Sequence, residues 1–495
     1  MREFITKHDR VIHRLLEILP GFVSWNIILF PYWGIFVIPT TVAYFVLIFN
    51  IYWFYQSLQI AFTAVLSHLR IQASIAYDWL GDLKAFPDWK KVRHLVIIPT
   101  FKEPIYILER TLTSLAEQTL PKKQIIVLLA MEKMEPKEDR AQKVKQLKTK
   151  FKGVFANLYV TVHELVQGEV VGKASNERHA ALWVKKRLIK SGVDTNYLTV
   201  TSCDADHKYH PQHFACLTFK FLDNPKRYNY FWQPAVMFYN NIWELPAITR
   251  VSNTLSSIWN LSFLPRKDRL LNCQNYSLSF RLLDEVDYWD PDKIPEDWGI
   301  FFKAYYKKRG QVEVEPIYLP LHADAPLSTS FLKTLKNQYE QYKRWAWGVS
   351  DDPWIIKNYL LTPGVPFWDK TMRLMFVIWA HFMWPVNWFI ITIGLTIPSL
   401  LNPNFARTAL GYTVPRLSSF VLTVALLFLL VMIVIDNVYK PKRPKEFPLW
   451  RAILIPFEFV LMPIAGFFFS ALPGLDAHTR LMLGKYLEYR VTEKV

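Results

Sequence analysis

The chain has 495 residues, of which 51% are hydrophobic, 16% aromatic and 20% charged, and its formal net charge is +17. That length permits two or more domains with full cores, and a composition greasier than an average soluble protein, yet not greasy throughout, requires the apolar residues to be segregated. Three cysteines (Cys203, Cys216 and Cys273) with no Cys-x-x-Cys pair exclude a disulfide framework and a zinc knuckle and read as reduced thiols, while the positive charge points to an anionic partner: lipid headgroups, nucleic acid or a phosphate-bearing substrate.

From Ile18 to His68 there is no Asp, Glu, Lys or Arg. A bilayer core takes about 20 apolar residues per helix, so the run has room for two spans with the turn at Pro39, Thr40 and Thr41, or for one long tilted span. Arg2, Lys7, Arg10 and Arg14 precede it and Arg70 follows it. Basic flanks favour the cytoplasmic side, and a hairpin puts both there. The run is too long for a secretory signal and lacks a small-residue cleavage pattern. Residues 1–70 are therefore expected to form an N-terminal membrane hairpin.

Residues 90–351 read as a soluble domain. His94–Pro99, Gln124–Ala130, Leu158–Val162 and Tyr197–Ser202 are short apolar runs of strand type. Ile105, Leu108, Leu112 and Leu115 recur at helical spacing after the first, a charged helix spans Glu138 to Lys150 after the second, and a helix from Lys173 to Lys190 follows the third. Strands alternating with helices predict an α/β fold with a mostly parallel sheet covered on both faces. Ligands bind such sheets outside the carboxyl ends of the strands. No Gly-x-Gly-x-x-Gly follows the first strand and no P-loop occurs anywhere, which argues against a dinucleotide fold and a P-loop NTPase.

The C-terminal region, 370–495, is apolar again. Leu374–Leu400 and Ser418–Ile435 are expected spans, and the linker YKPKRPKEF (Tyr439 to Phe447) carries Lys440, Lys442, Arg443 and Lys445, a cytoplasmic signature. Ile453–Leu475 contains Pro456, Glu458, Pro463 and Gly466, so it reads either as a span or as a bent or re-entrant segment. An amphipathic basic tail follows, with Arg480, Lys485, Arg490 and Lys494.

Three stretches carry chemistry. VTSCDADHKYHP (Val200 to Pro211) places Asp204 and Asp206 just past the fourth strand, where two carboxylates suit a hard divalent cation; a polar loop could carry the same pair. His207 and His210 read as an exposed turn rather than further ligands. In IPEDWGIFFKAYYKKRG, Asp297 is either a helix cap or a general base. In NQYEQYKRWAWG, Gln341, Arg344 and Trp345 share one helical turn, suited to clamping a diphosphate and stacking on a sugar, or to an aromatic helix beside a membrane. Trp232, Gln233 and Pro234 are expected to line a groove or the core.

IPTFKEP, GKASNERHA, CDADHKYHP, PEDW and QYKRW occur in this order, and the ordered set resembles the membrane-integrated family 2 glycosyltransferases, the cellulose, hyaluronan and mannan synthase-like group. The resemblance covers about Leu95 to Gly348, and the tail LGKYLEYRVTEK is similar to a helix in the mannan synthase-like branch. It implies a GT-A-type, Rossmann-like cytoplasmic domain flanked by transmembrane helices, in a protein of the plasma membrane. It implies that Pro99 and Thr100 close over the nucleoside and that Gly172 and Lys173 lie near the nucleotide. Asp204 and Asp206 would hold the nucleotide with Mg2+ or Mn2+, Asp297 would be the base of an inverting displacement, and Gln341, Arg344 and Trp345 would hold the diphosphate and acceptor. Where many members carry an aspartate for uracil, Glu132 stands nearest. The partners implied are a nucleotide sugar, expected to be a UDP sugar, a glycan or lipid-linked acceptor and membrane lipids, with no nucleic acid and a partner subunit left open. A polysaccharide synthase, a single-transfer enzyme acting on a lipid, and a non-catalytic transporter or scaffold are the three readings that follow.

Overall fold

The computed structural model describes residues 2–394 and 396–488. Helices of ten residues or fewer aside, the elements run α1 (Asp9–Val37), α2 (Pro39–Ala76), β1 (Arg93–Thr100), α3 (Ile105–Ala116), β2 (Ile125–Glu132), α4 (Lys137–Lys150), β3 (Asn157–His163), α5 (Lys173–Lys190), β4 (Leu198–Ser202), β5 (Lys208–Tyr209), α6 (His213–Asp223), β6 (Tyr230–Met237), α7 (Ala247–Phe263), β7 (Tyr276–Ser279), α8 (Asp297–Lys307), β8 (Glu313–His322), α9 (Phe331–Ala346), α10 (Phe367–Ile393) and α11 (Ala409–Tyr439). A final helical run spans Leu449–Met482.

Eight strands form one mixed sheet in the order β3-β2-β1-β4-β7-β6-β8-β5. β3, β2, β1 and β4 are parallel, as are β6 and β8, whereas β7 is antiparallel to both β4 and β6. The parallel half is the part whose strands alternate with helices in sequence. β2 is buried along its whole length, as a strand covered on both faces must be. One face packs Val96, Ile98, Val127 and Leu129 against α3 and α6; the other packs Leu95, Ile97, Ile126 and Leu128 against α5. α4, whose sequence is mostly charged or polar, buries only Leu147. Its Glu138 and Asp139 in the first turn and Lys148 and Lys150 in the last align with the helix dipole.

Among the described residues, five helical stretches are long and apolar enough to cross a membrane: α1, α2, α10, α11 and Leu449–Met482. Their outer faces carry bulky apolar side chains such as Phe36, Phe62, Phe420 and Val460, each more than half exposed, which water would not tolerate as a continuous belt. α1 and α2 meet at Ile38, with Pro39 in the first turn of α2, where its missing N–H costs no bond. The N-terminal hairpin is therefore two helices, not one long span. The last run changes helix type four times. Pro456, Pro463 and Pro473 each fall in the first two positions of a new segment, and the stretches between are 3-10 or π, because proline removes the α-helical bond at each point. Glu458 in this run accepts a 2.6 Å bond from Arg250 of α7.

The basic tail departs from the expected helix. The helix ends at Met482: Gly484 is left-handed (φ +70), and the N–H groups of Gly484 and Lys485 turn back onto Leu481 and Arg480 at 3.1 and 2.8 Å, a glycine stop. Residues 485–488 have no regular structure. Arg490 and the Val491-Thr492-Glu493-Lys494 ending lie outside the described residues.

Candidate active site

The carboxyl ends of β1, β2 and β4 open onto a cavity of about 1420 Å³. Asp204 and Asp206 reach it from the loop after β4, a register in which Cys203 N–H still bonds Ile97 of β1 at 3.0 Å. Asp206 is buried and its Oδ2 accepts the backbone N–H of Asp324 at 2.9 Å; its carbonyl accepts Asn240 Nδ2 at 2.9 Å. Asp324 is in turn paired with Arg110. Asp204 and Asp206 converge with His207, one ligand atom of each lying within 4.8 Å of the others. His207 is buried, 1% exposed, and Asn275 lies 3.3 Å from its Nδ1. The expected exposed turn is therefore incorrect for His207: the short β5 pulls the following residues against β8 and turns this ring inward. His210 stays outside the cluster. Two carboxylates and an imidazole suit Mg2+ or Mn2+ as oxygen-preferring ions, with the nitrogen favouring Mn2+ somewhat more.

Lys173 is the first residue of α5, after Gly172. Its ammonium lies 2.9 Å from Asp204, 2.8 Å from Glu296 and 2.7 Å from the carbonyl of Gln274. Burial opposes its charge, but Asp204, Glu296, Glu177 and Asp297 outweigh it and hold its pKa well above the usual lysine value. Burial likewise opposes ionisation of Asp204, and Lys173 and His207 hold its pKa below the ordinary carboxylate range nonetheless. Glu177, one helical turn beyond Lys173, is fully buried and accepts a 2.7 Å bond from Ser202. Its burial pushes its pKa up to about 8.

Asp297 opens α8 but does not cap it; the position before the helix is Glu296, which makes no side-chain capping bond either. Asp297 Oδ2 instead accepts the N–H of Gln274 at 2.8 Å. Burial, then the adjacent Glu296 charge, push its pKa well above the ordinary aspartate value, with Lys173 and the Gln274 N–H pulling the other way. Gln274 takes a left-handed backbone, φ 57, uncommon for a residue with a Cβ. That conformation aims its N–H at Asp297 and its C=O at Lys173.

Pro99 and Thr100 at the end of β1 line the cavity, as does Glu132 at the end of β2. Thr100 Oγ1 donates to Glu103 at 2.7 Å. On the far side, Arg344 and Trp345 of α9 line the wall, with the Trp345 ring 4.9 Å from Tyr342 and 5.6 Å from Phe238. Gln341 is buried on the same helix and, among the described residues, does not reach the lining. Gln233 and Pro234 line the cavity, whereas Trp232 is core, its Nε1 bonded to Glu315 at 3.1 Å. Beyond Asp297 the cavity continues between α2, α7, α10 and the last helical run, past Trp298, Trp379, Trp384 and Asn387. Trp298 stacks on His381 of α10 at 5.2 Å. Sequence reasoning passed over Glu177, Glu296, Gln274 and Asp324. The first two were within reach, one turn from Lys173 and adjacent to Asp297; the other two come from loops that only the antiparallel half of the sheet brings in.

No family model and no curated protein matches the chain. Among solved structures it is similar to the mannosyltransferase PcManGT from Pyrobaculum calidifontis in complex with GDP-Man and Mn2+, at 14% identity over 79% of this chain and 99% of that one, with a TM-score of 0.41. It is similar to residues 1–349 of S. aureus TarS at 13% identity over 72% and 94%, TM-score 0.34. GalNAc-T7 with UDP, GalNAc and Mn2+ follows at 12% identity over 62% and 57%, TM-score 0.32. At such TM-scores these likenesses carry no weight for chemistry, which rests on the site itself.

Proposed function

We propose that the chain is a membrane-embedded inverting glycosyltransferase that moves a sugar from a nucleotide-sugar donor to a growing polysaccharide, its α/β part on the cytoplasmic side. One observation carries the reading: a single cavity joins the Asp204–Asp206–His207 cluster, the buried Asp297 and an aromatic passage between apolar helices. Asp204, Asp206 and His207 would hold the divalent ion, which when bound neutralises charge on the diphosphate. Lys173 and Arg344 add positive charge on either side. Asp297 takes the proton of the acceptor hydroxyl, whose oxygen attacks the anomeric carbon as the bond from that carbon to the phosphate oxygen breaks on the opposite face. A carboxylate with a raised pKa is a stronger base than an ordinary one. Tryptophans along the passage offer flat faces for sugar rings, and Trp345, lining the cavity beside Arg344, would hold the acceptor end.

A second reading, transfer of one sugar to a lipid carrier, draws support from the methionines and aliphatics of the same passage, Met383, Met432, Met462 and Ile258 among them. Purified protein in lipid, given a panel of radiolabelled nucleotide sugars with Mg2+ or Mn2+, tests both. A long polymer is the expected product; a one-sugar lipid selects the second reading, and no metal-dependent transfer from any donor overturns both.

A further inference from the structure

Arg266 sits three residues past the end of α7 and is 8% exposed. Its guanidinium makes no hydrogen bond or ion pair among the described residues, and its Nε and Nη2 are shut off from solvent. Asp268, the nearest acid in sequence, is taken by Arg269 Nε at 2.9 Å. Burial, then the Arg269 charge, push the pKa of Arg266 down to about 10, so it remains a cation at neutral pH. Two further donors in this region lack an acceptor among the described residues. Tyr52 of α2 lies near enough to Arg266 to favour its charge. The Tyr52 hydroxyl accepts from Gln56 Nε2 at 2.8 Å and from Trp379 Nε1 of α10, which leaves its own hydrogen over. Trp53 Nε1 is buried without a partner. A buried donor with nothing to bond is costly, most of all when it is charged.

These donors border one arm of the cavity. Trp53 and Ile60 of α2, Trp259 and Phe263 of α7, and Phe376 and Trp379 of α10 line it, and the Arg266 guanidinium lies over the Phe263 ring at 4.8 Å. Trp259 is also 37% exposed, which brings the arm to the side of the molecule. About 20 residues counted from Pro39 cross a bilayer. Tyr52 and Tyr55 then fall near its edge, where tyrosine and tryptophan favour the interface. Apolar walls, unpaired donors and no acid among the lining residues of this arm suit an anion attached to hydrocarbon. A guanidinium forks onto two phosphate oxygens, and basic pockets between membrane helices take lipid headgroups. We propose that a phosphate-bearing membrane lipid seats its headgroup on Arg266 and Tyr52, at the side of the cavity between α2, α7 and α10. The site rests on the membrane reading of these helices and not on the transfer reaction.

Native mass spectrometry of the full chain in neutral detergent, titrated with dioleoyl phosphatidylglycerol, dioleoylglycerol or glycerol 3-phosphate, tests this. One phosphatidylglycerol should bind at least about 10-fold tighter than any further copy. Dioleoylglycerol lacks the phosphate and glycerol 3-phosphate lacks the chains, so neither should displace it. Arg266→Gln should weaken that lipid by about 10- to 100-fold, the worth of bonds to a charged group. Lys445→Gln, an equal loss of charge in the exposed linker, should not. Tyr52→Phe, which keeps the ring, should weaken it by about threefold or more and carries the test if Arg266→Gln does not fold. With no partner to lose, Arg266→Gln should unfold in lipid-free detergent at the parent's temperature or above it. A lower temperature would show the guanidinium already satisfied within the chain and overturn the site. So would parent affinity in both variants, or equal weakening by Lys445→Gln. Glycerol 3-phosphate binding as tightly as the lipid would make this a site for free phosphates instead. None of these readouts uses a nucleotide or turnover, so their failure leaves the transfer reading standing, and the converse holds.

Discussion

The Lys173 ammonium lies 2.8 Å from the Glu296 carboxylate, tying the first residue of α5 to the residue just before Asp297. Both side chains are largely buried. Breaking such a pair from one side leaves a buried charge unmatched, at a cost of about 3–5 kcal/mol. Lys173→Met should therefore lower the unfolding temperature and weaken nucleotide binding together, measured by thermal unfolding in detergent and by calorimetry.

Glu296 also sets the pH response. Its charge, after burial, raises the pKa of Asp297, and a base must be deprotonated to act. The transfer rate should rise with pH through the raised pKa of Asp297. Glu296→Gln removes a raising influence, so its rising limb should sit at lower pH than that of the parent. A pH–rate profile of both proteins, with saturating donor, checks the direction.

Asp297→Asn preserves the acceptor that Gln274 N–H requires but supplies no base. Donor binding should persist while transfer falls by about 10²- to 10⁴-fold, the usual worth of a general base. Unchanged transfer would reduce Asp297 to a structural role at the start of α8.

Asp206→Asn likewise keeps an oxygen for the Asp324 N–H, so the protein should fold and insert normally. Turnover should be lost, with no recovery as Mn2+ is raised. Wild-type rates in this variant would remove Asp206 from the metal site.

Gln274 contributes through its backbone, held at φ 57. Glycine adopts that conformation without the strain of about 1 kcal/mol that a Cβ brings. Gln274→Gly should retain activity and be no less stable, whereas Gln274→Pro, which has no N–H and cannot reach a positive φ, should lose transfer. Equal loss in both would mean that the side chain matters.

The parallel half of the sheet was legible because each strand is a continuous apolar run flanked by a periodic helix, and β1 to β4 fall within a residue or two of the expected spans. β7 was not legible. It is four residues, Tyr276–Ser279, with polar Ser277 and Ser279 buried between neighbours, and nothing in its composition marks it. Asp204 and Asp206 were placed by their position after a strand, whereas His207 turned inward because β5 pairs with β8 over a distance in sequence of more than one hundred residues. The broken final helix was half legible: its prolines marked the interruptions, but which segments would tighten or widen depends on packing against α7 and α10.

α2 runs unbroken for 38 residues, about 57 Å at 1.5 Å per residue. A hydrocarbon layer of about 30 Å takes up roughly 20 of them. The rest enters the sheet's own core: Ile60, Ala64 and Ile71 pack there, Ser67 bonds Leu261 of α7 at 2.6 Å and Arg70 bonds Tyr318 of β8 at 2.6 Å. The helix thus has one arm apolar enough to cross a membrane and the other packed in the half of the molecule that holds the cavity. Helices answer a change in bilayer thickness by tilting, and about 5° of tilt moves a point roughly 30 Å along the rod by about 3 Å. On the proposed membrane reading, such a tilt would carry β8 and α7 with it relative to β4, the strand that leads into Asp204 and Asp206.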